Sequence, residues 1–434
     1  MKEGKKAQEE EVESHLRPSL LSSEAFTNTE NGYKGFVNLA LLLLGLVNFR
    51  LVVENLIKYG LLFIESSDEI TVDWHAWPGL TITVLNSGFA LTGLFIEKAA
   101  FRKSLSASAA FYLEVVFVAA IMILPAYAVV HFALALGSGI LTMLWSTIIW
   151  MKMVSFFHVN STLRSSLLVS SGSAAASRPS SPSRNNQVSG SNPTEHLTLV
   201  SLLRFFIIPS LVYEVHWAQT TRVRWAWLTR RIAEAVFLSM FIYVVSIQYI
   251  LPILQKSVVP LETIDVPQLT ERILKLSIPL LYIWLVGFYV LFHLYLNIWA
   301  EITYMGDRRF YNDWWNASNL GYFWRSWNLP VHRWMLQNIY KPMLDRGHSA
   351  TLAGFTCFFV SAIFHEVVVS VPFRTLKLWA FLAMLSQLPL VYLTKKLFPE
   401  GSQTGNILFW LQLVLGLPTC VIMYYAYFVS TQSH

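Results

Sequence analysis

The stretch LAGFTCFFVSAIFHEVVVSV, from Leu352 to Val371, decides the fold of this chain, because it is long, apolar and interrupted by an adjacent pair, His365 and Glu366. An apolar helix of about 20 residues crosses the hydrocarbon core of a bilayer. A charged group at the bilayer centre costs about 2.5 to 3.5 kcal/mol on insertion scales, so ionisable residues there usually serve a function. The stretch predicts a transmembrane helix with a functional pair. The alternative is that neighbouring helices merely satisfy both side chains.

The same apolar character extends along the chain. Of its 434 residues, 54% are hydrophobic and 13% are charged, whereas soluble proteins carry charge on about a quarter of their residues. The apolar runs predict nine transmembrane helices, at residues 36–64, 79–96, 109–135, 138–158, 232–254, 277–300, 351–371, 376–397 and 405–429. The predicted fold is therefore an all-α polytopic membrane protein.

The loops between these runs predict the orientation. Residues 65–78 contain four acidic and no basic side chains, whereas residues 97–108 contain Lys98, Arg102 and Lys103. Because cytosolic loops are enriched in Lys and Arg, the acidic loop is predicted to be lumenal. The N-terminus is then cytosolic and the C-terminus lumenal. The net charge of +6 has the same explanation, so nucleic acid is not an expected partner.

Two segments are predicted to be disordered and cytosolic. Residues 1–35 are polar and charged and lack the apolar core of a signal peptide, so we expect a tail followed by a membrane domain at 36–434. Residues 161–193 are mostly Ser, Ala, Asn, Pro and Arg, a composition typical of a disordered linker. The apolar run Leu197–Val215 contains Pro209 and is short, which favours a re-entrant or interfacial segment over a tenth span.

Three further side chains in or near the spans are candidates for function. His131 and His293 have no adjacent carboxylate, so a hydrogen-bonded core histidine is the plainer interpretation, although Asn297 shares a helix face with His293. Ser361 shares a face with His365, and a serine nucleophile with a histidine base is conceivable. One rigid helix provides no oxyanion hole, which favours a lining or hydrogen-bonding role for Ser361.

The loop from Gly306 to Ser349 holds ten aromatic residues. This loop either forms part of a functional site or is only an aromatic belt at the membrane interface, since Trp and Tyr favour the membrane surface. Within it, five residues recur at helical spacing and predict an amphipathic cytosolic helix against the bilayer or the bundle: Leu329, His332, Leu336, Ile339 and Met343. His332 falls on the apolar face of this helix, where a histidine lines a cavity or pairs with a buried partner.

The segment Phe310-Tyr-Asn-Asp-Trp-Trp-Asn316 matches the FYxDWWN signature of the sterol and diacylglycerol acyltransferase branch of the membrane-bound O-acyltransferase family. The resemblance continues through Trp327-Asn-Leu-Pro-Val-His-Arg-Trp334, Tyr340-Lys-Pro-Met-Leu344 and Phe364-His-Glu366, and it includes Glu54–Gly60 and Pro209–Glu214. It therefore covers nearly the whole chain after the tail. The signature residues are Phe310, Tyr311, Asp313, Trp314, Trp315 and Asn316.

The resemblance implies a bundle around an intramembrane reaction chamber in which acyl-CoA acylates diacylglycerol to give triacylglycerol. Sterol-using relatives typically lack the Asn-x-Pro-Val-His and Tyr-Lys-Pro-Met-Leu segments, so diacylglycerol is the implied acceptor. The endoplasmic reticulum membrane, surrounding membrane lipids, and a homodimer or homotetramer are implied in the same way.

The resemblance also implies a set of site residues. His365 is the implied catalytic residue, with Asn328 and Glu366 beside it. The implied acyl-CoA site comprises Trp324, Arg325, Ser326, Trp327, Asn328, Leu329, Pro330, Val331, His332, Tyr340, Lys341 and Ser361. The implied acceptor chamber includes Met384, Gln387 and His293.

The chemistry predicted from these residues is simple, because a thioester is already activated. We expect His365 to take the acceptor proton as the oxygen attacks the carbonyl. Glu366 is expected to orient the ring or stabilise its charge, although adjacent helix residues point about 100° apart. Asn328 either donates to the oxyanion or holds the thioester. Neither the two cysteines, Cys357 and Cys420, nor any other cluster has metal-site spacing, so no metal or redox cofactor is expected.

Four positions depart from the resemblance: Val367 stands for Tyr, Leu417 for a polar Gln, and Ala350 and Gly354 for basic residues. Lys341, Arg346 and His348 are candidates to replace the last two at the coenzyme A phosphates. A sterol, wax-alcohol or retinol acceptor is the main alternative. A transporter, in which His365, Glu366 and His293 mark a path, is an alternative from another class.

Overall fold

The computed structural model describes residues 34–62, 78–173 and 196–432. Within these ranges the regular secondary structure is helical, apart from one isolated antiparallel β-bridge between Gln219 and Met305. The all-α prediction is therefore confirmed. The tail predicted at residues 1–35 lies almost entirely outside the described residues.

The first compact unit ends at Ser67, and its described part is helix α1, Lys34–Tyr59. It coincides with the first predicted span. An exposed ion pair, with Arg50 Nε 2.6 Å from Glu54 Oε1, lies in its second half.

The second unit contains the remaining helices. In chain order they are α2 (Pro78–Leu91), α3 (Gly93–Phe101), α4 (Ala107–His131), α5 (Leu136–Ser173), α6 (Leu199–Ile207), α7 (Trp225–Val245), α8 (Leu251–Gln255), α9 (Val258–Glu262), α10 (Val266–Phe288), α11 (Leu296–Ile302), α12 (Leu320–Ser326), α13 (Leu329–Met335), α14 (Lys341–Asp345), α15 (Ala350–Phe373), α16 (Trp379–Leu385), α17 (Gln387–Leu397) and α18 (Gln403–Gln432). Single π-helical turns at Ser246–Ile250, Tyr289–Tyr295 and Leu336–Tyr340 join α7 to α8, α10 to α11 and α13 to α14.

Seven segments of the described residues are long and apolar enough to cross a membrane: Pro78–Phe101, Ala107–His131, Leu136–Ser166, Trp225–Glu262, Val266–Ile302, Ala350–Phe373 and Gln403–Thr431. They correspond to seven of the nine predicted spans, so the polytopic class is confirmed. The count of nine stays a prediction.

The eighth predicted span, 376–397, differs from the expectation of one continuous helix. It consists of two short helices, α16 and α17, which meet at Ser386. Pro389 has no backbone N–H to donate to the carbonyl of Leu385, which removes one helical hydrogen bond at the junction. The break lies between Met384 and Gln387.

The linker predicted to start at residue 161 also differs, because α5 continues as a helix to Ser173. Arg164 fixes this extension: its guanidinium bridges Glu97 and Glu114, with Nη2 3.1 Å from Glu114 Oε1. These ion pairs tie α5 to both α3 and α4, and they stabilise a helix where the local composition predicted a disordered linker. The rest of the predicted linker, residues 174–193, lies outside the described residues.

The apolar run after the linker forms helix α6, whose nine residues extend only about 14 Å, too short to span. Its C-terminal end is held by Lys152, a 4% exposed side chain of α5. The ammonium group donates hydrogen bonds to the carbonyls of Phe205, Ile208 and Ser210 at 2.7, 2.8 and 2.9 Å. All three ammonium protons are used, which fixes the turn at Pro209 against α5.

Helix α15 carries the deciding stretch and lies among many neighbours. It packs against α4, α5, α16 and α18 and against the π-helical turn Leu336–Tyr340. The Ser349 hydroxyl begins it by accepting a 3.2 Å hydrogen bond from Leu352 N.

The amphipathic helix predicted from Leu329 is present as α13, the π-helical turn and α14, and its five predicted core-facing residues are buried or half-buried. The deepest side chain is instead Trp334, which is 1% exposed. Its cytosolic location stays a prediction.

Candidate active site

His365 lies near the middle of α15, with its ring tied to the helix backbone. Its Nδ1 atom is 2.8 Å from the Ser361 carbonyl oxygen and 3.4 Å from Ser361 Oγ. A carbonyl oxygen only accepts hydrogen bonds, so Nδ1 carries the proton and Nε2 presents a lone pair. This arrangement leaves Nε2 as a base. It also turns the protonated nitrogen toward Ser361, which does not suit a serine nucleophile.

The His365 side chain keeps an exposed surface on a helix that several other helices and a π-helical turn pack against. An exposed histidine on such a packed helix is compatible with the reaction chamber that the resemblance implies.

The Glu366 carboxylate makes its hydrogen bonds to groups other than the His365 ring, and the orienting role stays a prediction. Its carboxylate is 3% exposed and accepts hydrogen bonds from Leu378 N at 2.9 Å, Phe381 N at 3.1 Å and the Tyr424 hydroxyl at 2.9 Å. Adjacent helix residues point about 100° apart, so Glu366 faces the start of α16 while His365 points to another side of α15. Ser361, through its carbonyl, is the residue that orients the imidazole.

Gln387 and Met384, which the resemblance implies for the acceptor chamber, lie at the junction of α16 and α17. Gln387 accepts a 2.8 Å hydrogen bond from Gln412 Nε2 of α18 and donates to the carbonyl of Ala383 at 3.3 Å. Met384 is 6% exposed. Gln412 and Tyr424 were not predicted from the sequence, although a glutamine in an otherwise apolar span is a signal of a polar site.

Asn328 begins helix α13, and its Oδ1 atom accepts a 3.2 Å hydrogen bond from Val331 N. The amide Nδ2 group has no protein partner among the described residues, so its two N–H donors remain available to a ligand. Two backbone hydrogen bonds fix the turn that carries this side chain: Leu329 N to the Phe310 carbonyl, 3.0 Å, and Asn312 N to the Ser326 carbonyl, 2.8 Å. The signature segment therefore positions Asn328 directly.

Helix α13 is packed beside α15 by Trp150 of α5. The Trp150 ring lies 5.6 Å from the Trp334 ring and 4.6 Å from the Phe364 ring, centroid to centroid. Trp334 Nε1 also donates a 2.7 Å hydrogen bond to the Met151 carbonyl. The helix with His332 and the helix with His365 thus share one aromatic anchor.

The other residues of the implied acyl-CoA site lie around this pair of helices. Trp324 packs edge-on against Phe358 of α15 at 5.9 Å, and its buried Nε1 donor has no partner among the described residues. Ser326 and Leu329 are buried; Trp327, Pro330, Val331 and Tyr340 are half-buried; Arg325 and Lys341 are exposed. Burial, followed by the charge of Arg325, lowers the pKa of the half-buried His332 below its ordinary value, so a neutral ring is favoured there.

The signature residues form a scaffold beside the site. Trp314 is 2% exposed at the centre of an aromatic cluster, with Phe310 also buried. The Tyr311 hydroxyl is 2.8 Å from His293 Nδ1, which gives this intramembrane histidine a partner. Asp313 accepts hydrogen bonds from the Tyr322 hydroxyl and from Asn316 Nδ2, and these bonds lower its pKa. Trp315 and Asn316 are exposed.

A buried charge cluster that the sequence analysis missed holds the start of this segment. Glu301 is 0% exposed and accepts hydrogen bonds from Arg224 N, Nε and Nη2 at 2.6, 3.1 and 2.9 Å. Arg308 bonds the same carboxylate. Glu301 therefore ties the end of α11 to the segments before α7 and before the signature. The sequence signal for this charge cluster is the carboxylate of Glu301 in the last turn of an apolar run.

Comparison with known proteins gives these elements a family. Residues 140–426 match the profile of the membrane-bound O-acyltransferase family. The diacylglycerol O-acyltransferase 1 of Dictyostelium discoideum is 44% identical over 414 residues, which are 95% of this chain but 65% of that protein. The chain thus spans just under two thirds of this relative.

Longer coverage is found with two further relatives. The diacylglycerol O-acyltransferase 1 of Arabidopsis thaliana is 38% identical over 94% of this chain and 75% of that protein. The protein of the same name from Homo sapiens is 37% identical over 94% of this chain and 82% of that protein. Because the family profile matches more than half of the chain and these relatives align along nearly all of it, the chain belongs to the membrane-bound O-acyltransferase family.

Proposed function

We propose that this chain is an acyl-CoA:diacylglycerol O-acyltransferase, which transfers a fatty acyl group to the free hydroxyl of diacylglycerol and forms triacylglycerol. The supporting observation is His365, whose Nε2 atom carries the lone pair of the ring while the Ser361 carbonyl holds Nδ1 at 2.8 Å. Family membership and the names of the aligned relatives support the reaction class and both substrates.

His365 acts as the general base in this proposal. Its Nε2 atom takes the acceptor proton as the alcohol oxygen attacks the thioester carbonyl, a role that typically contributes about 10²- to 10⁴-fold to the rate. The C–O bond forms, the C–S bond breaks, and the coenzyme A thiolate leaves with a proton that the imidazolium returns. The protonated Nδ1 needs no rearrangement, because its carbonyl partner serves both the neutral and the charged ring.

Asn328 is the proposed donor to the thioester oxygen. Its Oδ1 atom is engaged by Val331 N, so only the Nδ2 group faces a substrate, and a single preorganised donor of this kind is worth about 10²- to 10³-fold in kcat. The unpaired Nε1 donor of Trp324 and the half-buried His332 extend the acyl-CoA site along the same side of α15.

Glu366 is a positioning residue in this scheme, because it fixes the start of α16 and thereby the α16–α17 junction with Gln387. The Gln387–Gln412 pair, at 2.8 Å, supplies amide groups at the acceptor end of the site. Coenzyme A is proposed to enter from the cytosolic side through the aromatic segment, and diacylglycerol from the bilayer. The reaction needs no metal or redox cofactor, since the thioester is already activated.

A sterol or long-chain alcohol is the second acceptor class, and Val367 and Leu417 favour testing it. Val367 packs against the α4 and α5 side of α15, and Leu417 packs on the cluster around α10. Neither supplies a polar group at the position where the resemblance implies one, so the acceptor is worth testing separately.

The decisive experiment is acyl transfer by the purified protein from labelled oleoyl-CoA to diacylglycerol and, separately, to cholesterol. We expect labelled triacylglycerol from the wild type and a loss of at least about 10²-fold in His365→Ala. His131→Ala is the matched control, because His131 is an exposed histidine at the end of α4, stacked on Tyr127. Sterol ester as the dominant product overturns the acceptor, and an active His365→Ala protein overturns the base.

The cellular setting belongs to the same proposal. We place the protein in the endoplasmic reticulum membrane, with a cytosolic N-terminus and a lumenal C-terminus, and as a homodimer or homotetramer. Protease protection of tags at each end of the chain in sealed microsomes tests the orientation. The mass of the purified particle in detergent tests the oligomeric state.

A further inference from the structure

A cavity of about 300 Å³ opens beside the proposed acyl-CoA site, with which it shares Pro330 and Lys341. Three segments form its walls: residues 209–218, residues 305–310 and the helix from Pro330 to Lys341. Its floor is apolar and buried, with Val212, Met305 and Phe310, whereas its rim is charged and exposed. An apolar floor with a charged rim is the form of a pocket for an amphipathic ligand.

The walls of this cavity are fixed by bonds within the protein. The Lys152 ammonium group holds Ser210 through its carbonyl at 2.9 Å. Gly306 N donates to the Ala218 carbonyl at 2.8 Å beside the Gln219–Met305 bridge. Asp307 Oδ2 lies 2.8 Å from Arg333 Nη1. The cavity is therefore preformed, which lowers the ordering cost of binding.

The rim carries charges of both signs. Glu214 and Asp307 are acidic, and Arg333 and Lys341 are basic. Asp307 and Arg333 pair with each other, whereas Glu214 and Lys341 have no hydrogen bond or ion pair among the described residues. Desolvation, followed by the charge of Asp307, raises the pKa of Glu214, and the charge of Arg333 opposes this shift. A ligand with an ammonium group and an anionic group complements Glu214 and Lys341 together.

The position of the cavity points to a lipid as the source of such a group. Met305 follows the candidate span Val266–Ile302 by three residues, and Ala218 precedes the candidate span Trp225–Glu262 by seven. The cavity therefore lies at the level where membrane helices end, which is the depth of phospholipid headgroups. Glu214 can accept hydrogen bonds from the N–H groups of a primary ammonium, which a choline group lacks.

We propose that this cavity binds the headgroup of a zwitterionic phospholipid with a primary ammonium group, of the phosphoethanolamine type. The ammonium group donates to Glu214, and the phosphate faces Lys341 and Arg333. Phe310 of the floor accepts the backbone hydrogen bond of Leu329 at 3.0 Å, and Pro330 lines the wall. Both belong to the turn that presents Asn328, so an occupied cavity stiffens the acyl-CoA side of the site.

The test measures binding directly, on the full-length purified protein in detergent. Thermal unfolding is followed while dihexanoylphosphatidylethanolamine, dihexanoylphosphatidylcholine or free phosphoethanolamine is titrated. A ligand of the folded state raises Tm with concentration. We expect the ethanolamine lipid to raise Tm at lower concentration than the choline lipid, and Glu214→Gln to raise the required concentration about tenfold, the effect of one charge-assisted hydrogen bond.

Glu400→Gln is the matched control, because Glu400 is an exposed carboxylate in the loop before α18; it should respond like the wild type. Equal stabilisation by the two lipids, or an unchanged response in Glu214→Gln, overturns the site. Equal stabilisation by free phosphoethanolamine overturns the lipid as the source. The readout does not depend on acyl transfer, so its failure is distinct from failure of the proposed function.

Discussion

The Tyr424 hydroxyl of α18 donates a 2.9 Å hydrogen bond to the Glu366 carboxylate of α15, and the same carboxylate accepts two backbone N–H groups at the start of α16. Three helices therefore meet at one buried anion beside His365. The geometry assigns Glu366 to the scaffold of the site, since its oxygens are directed away from the imidazole.

Glu366→Gln is expected to destabilise the protein, because the amide has one acceptor oxygen where three donors converge and its NH₂ group opposes a backbone N–H. Loss of a hydrogen bond to a charged group costs about 1.5 to 3 kcal/mol. Tyr424→Phe removes one donor only and should cost less. Thermal unfolding and kcat should fall together in both variants. A shifted pH profile of kcat in Glu366→Gln would instead make Glu366 a partner of the base.

Ser361→Ala is expected to retain acyl transfer within roughly threefold of the wild type. The backbone carbonyl that orients His365 at 2.8 Å survives the substitution, and the lost hydroxyl contact is long, 3.4 Å, so it contributes little. Single-turnover acylation measures the effect on chemistry alone. A loss of about 10⁴-fold or more, typical of a removed nucleophile, would mean that a serine ester forms. Thr356→Ala, one turn or so earlier in α15, is the control for a lost hydroxyl.

His332 gives a prediction about pH. Its pKa in the folded protein lies below the ordinary histidine value of 6.5 because burial and Arg325 disfavour the charged ring. The unfolded chain therefore binds the proton more tightly than the folded protein. The stabilisation by the neutral His332 ring is fully present above pH 6.5 and is lost as the pH falls from 6.5 toward the folded pKa. Thermal unfolding should weaken over that window in the wild type and weaken less in His332→Gln. Identical profiles would contradict the buried neutral ring.

The pair His365 and Glu366 was readable in the sequence because ionisable side chains are conspicuous in an apolar run. The different roles of the two residues could not be predicted. The partners of Glu366 are mainly backbone N–H groups of α16, and residue type does not identify such partners. The helical extension to Ser173 was hidden for a similar reason. Arg164 reaches Glu97 and Glu114 across two other helices, and local composition does not report such long-range pairing.

The Lys152→Met variant tests whether the buried ammonium group, which lies outside the candidate active site, stabilises the fold. Lys152→Met keeps the length of the side chain but leaves the carbonyls of Phe205, Ile208 and Ser210 without their donor. Each unsatisfied buried group costs about 1 to 3 kcal/mol, so we expect a large fall in Tm and in the yield of folded protein. Lys396→Met, an exposed lysine at the end of α17, should behave like the wild type. A normal Tm in Lys152→Met would contradict a structural role for the ammonium group.

Gly405 marks the closest approach of α18 to the loop after the signature. A Cβ atom at this position would lie 2.0 Å from the Ser318 carbonyl oxygen, whereas a Cβ atom at Gly416 of the same helix would meet nothing within 4 Å. Backbone cannot yield as a side chain does, so Gly405→Ala should cost at least about 1 to 3 kcal/mol. Gly416→Ala should be neutral or stabilising by about 0.5 to 1 kcal/mol. Thermal unfolding of the two variants in the same detergent measures the contrast.

Because the displaced loop carries Trp314 and Asn316, we also expect Gly405→Ala to raise the KM for acyl-CoA. A variant that loses stability with an unchanged KM would separate the loop from the substrate site.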